Sequence, residues 1–334
     1  MISALEKPLN AQVFFGAEEP LTERLLGALI CLSYNLRSLF LSKTERTCYS
    51  ILITVLQRAI EGGRYAILPR PLTLSIQELD NSSTRPRINI SLASKLLQIA
   101  SIHRLHVWRG DGYLKFSRFH HCLWMSGIRE LRLIAYVNAH TIFRIFRAAQ
   151  RLESFSLVVT KPWGFYEALP PLMGTGLNRA LMMRANTLKA LELRTCKNTF
   201  FLSQLGMYRI LSCLPQLENL ETLVVEIPLI AGITLKGCDL GIIEKLPPKL
   251  VSLEAIELWL FPEIDGYCRA SSMESFLRMF ASELHRGLLP SLRHLRYIPS
   301  VIECCLSPEK LDGIKILFHN ERVSFSCRRE SLTS

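Results

Sequence analysis

Apolar residues in this chain recur in one short phrase, apolar-x-x-apolar-x-apolar, with polar residues in the gaps. It runs Leu36-Leu39-Leu41, Ile102-Leu105-Val107, Ile128-Leu131-Leu133, Leu152-Phe155-Leu157 and Leu188-Leu191-Leu193. It continues as Leu220-Leu223-Val225, Leu253-Ile256-Leu258, Leu292-Leu295-Tyr297 and Leu311-Ile314-Ile316, with Leu72-Leu74-Ile76 as a looser version. The last two apolar positions alternate as in a strand buried on one face. A stretch of helical periodicity precedes the phrase, so each unit is a helix plus a strand. A unit of that size cannot bury its apolar face alone and must stack on its neighbours.

About a third of the 334 residues are Leu, Ile, Val or Phe, so a pattern this permissive arises often by chance. Order and spacing constrain the fold more. The middle residue of the phrase advances by 19 to 39 residues at each step, mostly more than the roughly 20–29 of an ordinary leucine-rich repeat. The expected fold class is therefore α/β, a leucine-rich-repeat solenoid with irregular units, a parallel concave sheet and helices on the convex side. Residues 1–19 form an N-terminal arm in this reading, 20–320 the solenoid and 321–334 a C-terminal tail. Only Leu188-x-x-Leu-x-Leu-x-x-Cys196 completes the longer repeat consensus. The other turns must satisfy their backbone groups some other way.

The formal charge is +11, and 28 of the 40 cations are arginine. The arginines are scattered, with no run longer than two, so the excess reads first as a solvated surface that keeps the protein soluble, with acidic protein partners and nucleic acid as the functional readings. The alternative reading is a basic repeat protein that binds RNA or DNA, or a standalone scaffold. The ten cysteines sit largely beside apolar positions, as Cys31 and Cys213 do, where a reduced thiol acts as a small hydrophobe. The first residues lack an apolar leader core. No apolar run approaches the roughly 18 residues of a membrane helix. These features predict a cytoplasmic or nuclear protein with no membrane partner. The sequons at Asn81 and Asn89 and the Arg109-Gly-Asp111 tripeptide are then accidental.

Helical faces are predicted over 21–32, 51–60 and 92–100, and over Ile142, Ile145, Phe146 and Ala149 with Asn138 as cap. Gly62-Gly63 closes the helix over 51–60. Ser271 and Glu274 have capping-box spacing ahead of Phe276, Leu277 and Phe280. Ser307-Pro308-Glu309 starts a short last helix. The segments at 80–90 and 160–176 are predicted to be the longest loops.

The phrases Ser126-Gly-Ile-Arg-Glu-Leu-Arg-Leu, Ala149-Gln-Arg-Leu-Glu-Ser-Phe-Ser-Leu and Leu214-Pro-Gln-Leu-Glu-Asn-Leu-Glu-Thr-Leu resemble the repeat region of fungal F-box/leucine-rich-repeat proteins. So do Leu246-Pro-Pro-Lys-Leu-Val-Ser-Leu-Glu-Ala-Ile-Glu-Leu and Leu289-Pro-Ser-Leu-Arg-His-Leu, and the resemblance runs from about residue 20 to 320. In that family a three-helix F-box holds the Skp adaptor of a ubiquitin ligase, and the repeats capture the substrate. The resemblance implies a substrate-receptor-like protein. This chain departs from the family at its start. Only about 20 residues precede the first repeat helix, with no Leu-Pro-x-Glu opening, whereas three ordinary helices need roughly 10–14 residues each. Skp binding is not expected of this chain alone.

Chemistry-bearing motifs are sparse. There is no nucleophile elbow, His-Glu-x-x-His or phosphate-binding Gly-x-x-x-x-Gly-Lys. Gly174-Thr-Gly176 reads as a loop-to-helix junction. His120-His121-Cys122 lacks a second ligand pair at finger-like spacing. His103 and His106 fall on a predicted strand, and Cys304-Cys305 reads as packing. No enzyme activity, cofactor or metal is expected. The expected function is non-enzymatic binding of an acidic protein partner. Strand alternation puts its candidate surface at Arg104, His106, Trp108, Glu130, Arg132, Glu192, Arg194, Glu226, Glu257, Trp259, His294 and Arg296, with Lys315 in the last unit. Exposed Trp and Arg are the side chains that dominate binding hot spots.

Overall fold

The units that start at Ile128, Leu152, Leu188, Leu220, Leu250 and Leu292 each fold as a tight turn running into a short strand. The turn holds the first apolar residue, whose N–H donates to a carbonyl three residues back: Ile128 to Met125, Leu152 to Ala149, Leu220 to Leu217, Leu250 to Pro247 and Leu292 to Leu289. Leu188 makes the same bond one residue further, to Arg184. The next unit then docks on the residue just before the strand. The carbonyls of Arg129, Lys189, Glu221 and Val251 each accept two successive N–H groups from the following unit. The backbone groups just ahead of these strands are thus paired within the chain.

A computed structural model describes residues 9–13, 36–43, 72–78, 87–89, 102–115, 125–137, 139–159, 174–195, 211–231, 243–256, 267–298 and 306–327. It divides into two units, Met1–Tyr166 and Glu167–Ser334. The first contains β1 (Leu9–Val13), β2 (Leu36–Lys43), β3 (Leu72–Glu78), β4 (Arg87–Asn89), β5 (Ile102–Lys115), β6 (Glu130–Tyr136), α1 (Ala139–Ala148) and β7 (Ser154–Val159). Its strands pair in parallel in the order β1-β2-β3-β5-β6-β7, and β4 adds to the far half of β5. Register aligns Leu39, Leu74, Leu105, Leu131 and Phe155 in one ladder, every member at most 3% exposed. Parallel neighbours need a return crossover, and α1 supplies it between β6 and β7. Its predicted face of Ile142, Ile145, Phe146 and Ala149 is fully buried. Phe146 meets Phe155 edge-on, with ring centroids 4.8 Å apart.

The second unit contains α2 (Gly174–Met182), β8 (Ala190–Thr195), β9 (Thr222–Glu226), α3 (Ile227–Ala231), β10 (Ser252–Ile256), α4 (Tyr267–His285), β11 (His294–Ile298), α5 (Pro308–Asn320) and β12 (Ser324–Cys327). Its strands are parallel in the order β8-β9-β10-β11-β12. Leu191, Leu223, Leu253, Leu295 and Phe325 form one ladder, and Leu193, Val225, Ala255, Tyr297 and Cys327 the next. Phe318 of α5 stacks on Phe325 at 4.9 Å and approaches Phe280 of α4. Side chains also link the turns, with Asn219 donating to the Asn186 carbonyl at 3.0 Å and accepting from Lys249. Each unit is therefore an open all-parallel α/β layer whose inner face is the core.

Four expectations are corrected. Leu311, Ile314 and Ile316 lie on α5, not on a strand, and Ile316 is 61% exposed. Lys315 goes with that helix, where it pairs with Asp312. The last strand is β12, after the helix. Ile256 points outward, because β10 aligns on Leu253 and Ala255. Ser271 lies inside α4, which begins at Tyr267, and Glu274 instead pairs with Arg278 and Lys310. The segment expected as a loop at 80–90 contains β4. By contrast, Ser307 caps α5, its hydroxyl accepting from the Lys310 N–H, with Pro308 in the first turn. Gly174 opens α2 as expected. The helices expected over 21–32, 51–60 and 92–100, the Asn138 cap, His120-His121-Cys122 and Cys304-Cys305 lie outside the described residues.

Candidate binding face

Strand alternation turns every second side chain away from the core, and parallel register lines those residues up in rows. On the first unit one row is Thr73, Arg104, Glu130 and Ser154, and the next is Ser75, His106, Arg132 and Ser156. A third aligns Trp108, Ile134 and Val158. Neighbours in a row are about 4.8 Å apart between strands, so side chains on adjacent strands touch.

Glu130 is the acidic centre of this face. Its Oε2 forms an ion pair with Arg104, 3.1 Å from Nε, and its Oε1 faces His106 Nε2 at 3.1 Å. Both carboxylate oxygens are engaged. Arg132, two residues along the same strand, has no ion pair among the described residues, and its Nε is buried without an acceptor. Trp108 is 39% exposed. Arg104, His106, Trp108, Glu130 and Arg132 thus lie on neighbouring rows of β5 and β6.

The second unit carries a different arrangement. Arg194 pairs with Glu192 on its own strand and reaches across β9 to Glu254 at 3.4 Å. Glu254 also accepts from Arg296 at 2.9 Å. The reach from β8 to β10 spans two strand spacings, about 9.5 Å, which only a long side chain covers. These arginines already have counter-charges. Glu226 occupies the outward row opposite Ile256, yet it is 1% exposed and offers no free surface. This corrects its expected place on an open face. His294 is exposed at the start of β11. Glu257 and Trp259 lie outside the described residues.

Glu254 was missed because the phrase was set on Leu253-Ile256-Leu258. The true unit is Leu250-x-x-Leu253-x-Ala255, with a small alanine in the third apolar position. The fully buried Leu250, three residues before Leu253, was the available signal.

Among the described residues no three His, Cys, Asp or Glu side chains are grouped to hold a metal ion. No described helix is long and apolar enough to cross a membrane. Cys213 is a buried thiol, pushed up to about 12 by its burial against the opposing effect of a backbone hydrogen bond. A thiol held protonated in this way is a poor nucleophile. No protein-family model matches the chain, and no curated protein matches it.

Proposed function

We propose that this chain is a non-enzymatic, leucine-rich-repeat-like protein that binds a protein partner through the outward face of its first unit. The observation that carries the reading is the contrast between the two sides of the β5–β7 sheet. The inner side is a closed ladder of Leu105, Leu131 and Phe155, whereas the outer side presents Trp108, Arg104 and Arg132. Aromatic and arginine side chains dominate binding hot spots because they offer large contact area and directed hydrogen bonds in desolvated surroundings. The net charge of +11 favours an acidic partner. Nucleic acid is less well supported, because Arg194 and Arg296 of the second unit are paired with glutamates.

The resemblance to ubiquitin-ligase substrate receptors supports a substrate-capturing role for the repeats, and Skp binding is not part of the proposal. Affinity capture from cell extract with mass spectrometry tests the reading. The purified chain is compared with Arg104→Ala/Trp108→Ala on the face and Arg147→Ala on α1. Proteins retained by the parent and the α1 variant, but lost from the face variant, are the expected result. Equal retention by all three overturns it.

A further inference from the structure

Among the described residues, the outward rows of β5 to β7 carry the single carboxylate of Glu130 beside Arg104, His106 and Arg132. Glu130 spends one oxygen on Arg104 and the other on His106. Arg132 lies opposite His106 on one side and Ser156 on the other. Among the described residues it has no carboxylate partner, and its Nε is covered without an acceptor. A partly desolvated guanidinium without a counter-charge attracts a carboxylate more strongly than a solvated one, because the effective dielectric around it is lower. The planar fork also receives a carboxylate with two hydrogen bonds. The next row over is Trp108, Ile134 and Val158, an apolar strip beside the cation. The second unit does not repeat this pairing, since Glu192 and Glu254 already hold its arginines.

We infer that Arg132 anchors a subsite for an extended acidic segment of the partner. That segment places an Asp or Glu side chain on Arg132 and an apolar side chain, two residues away, on the Trp108–Ile134–Val158 strip. The spacing follows from the strand itself. Arg132 and Ile134 are two residues apart on β6, about 6.6 Å at 3.3 Å per residue, and an extended peptide presents its own i and i+2 side chains at the same interval. The inference deepens the protein-binding proposal and rests on it.

The test is fluorescence anisotropy with the full chain and short labelled peptides. The probes carry Glu-Ser-Leu, the reversed order Leu-Ser-Glu, or the uncharged Gln-Ser-Leu at their centre. One of the two acidic orders should bind, with the glutamine probe weaker by about tenfold or more. Arg132→Leu should lower the affinity by a similar factor, and Arg132→Lys should fall between, keeping the charge but losing the fork. Glu130→Gln should strengthen binding, because it removes the competing negative charge. That increase has no counterpart in a purely structural role, and it keeps the test decisive if Arg132→Leu does not fold. Failure of both acidic probes to bind, equal affinity for the parent and a folded Arg132→Leu chain, or tighter Arg132-dependent binding of single-stranded RNA overturns the inference. If extract proteins are still captured through the face while no probe depends on Arg132, the subsite fails and the protein-binding proposal stands. If capture does not depend on the face, both fail.

Discussion

Val224 and Val225 are adjacent on β9 and chemically identical, yet the fold gives them opposite surroundings. Val225 is fully buried in the ladder between Leu193 and Ala255, whereas Val224 lies on the outward row between Glu192 and Glu254 and is partly exposed. Truncation to alanine removes the same two methyl groups at either site. In a packed core each lost methyl-sized group costs about 0.5–1.5 kcal/mol, so Val225→Ala should cost about 1–3 kcal/mol. Val224 is only partly buried, so Val224→Ala forfeits less burial than Val225→Ala, and its loss should be smaller, about 1 kcal/mol. The cost in strand propensity is common to both variants and cancels in the comparison. The expected gap is about 1–2 kcal/mol in favour of Val224→Ala. Repeat layers can unfold in stages. Urea unfolding by circular dichroism is therefore best combined with native-state hydrogen exchange on the amides of β8 to β10. Equal losses, or a larger loss for Val224→Ala, would refute both the facing of β9 and the register that aligns it.

Three further outcomes follow from particular contacts. Glu254→Gln removes the counter-charge of Arg296 and one of the two carboxylates on Arg194, in a site where Glu254 is only 13% exposed; urea unfolding should show a loss of about 1–3 kcal/mol, and unchanged stability would mean that this carboxylate contributes nothing. Cys213 should resist alkylation at pH 8 in the folded protein and react once urea unfolds it, because burial holds the thiol near 12; rapid labelling of the native chain would contradict its burial. Lys310, and then Arg278, hold the Glu274 carboxyl below its ordinary value of 4.5. A depressed carboxyl stabilises the fold above its unfolded value and loses that contribution as pH falls through the lower folded value. The difference in Tm between parent and Glu274→Gln should therefore be present at neutral pH and close below about pH 4.5; a gap that persists at pH 2 would exclude this ion pair as its source.

The ladders were legible in the sequence because a strand with one buried face writes its period directly into Leu105-x-Val107, Leu131-x-Leu133 or Leu223-x-Val225. The same phrase misled at Leu311-Ile314-Ile316, since apolar-x-x-apolar is also the i, i+3 spacing of a helix face. The Ser307-Pro308 start was the discriminating signal, and the structure shows one continuous helix there. The β10 unit was set three residues late because Ala255 is too small to stand out as a core position. Outward placement of Arg104, His106 and Trp108 followed from alternation alone. Their charge balance did not. Whether an arginine is neutralised depends on which strand lies beside it. Arg194 finds Glu254 only because β8, β9 and β10 stack in register, although 60 residues separate the two in the chain. Periodicity reports the face of a side chain, whereas its partner is set by tertiary register.

The most direct test of the central claim is site-specific photo-crosslinking of the chain in its native cell extract. A benzophenone amino acid replaces Trp108 on the outward sheet face in one sample and Arg147 on α1 in another, with the rest of the chain intact. The account predicts a discrete protein adduct from position 108, lost when Arg104 and Arg132 are also changed to alanine, and none from position 147. Adducts from position 147 with none from position 108 would contradict it, placing the partner on the helical side of the unit.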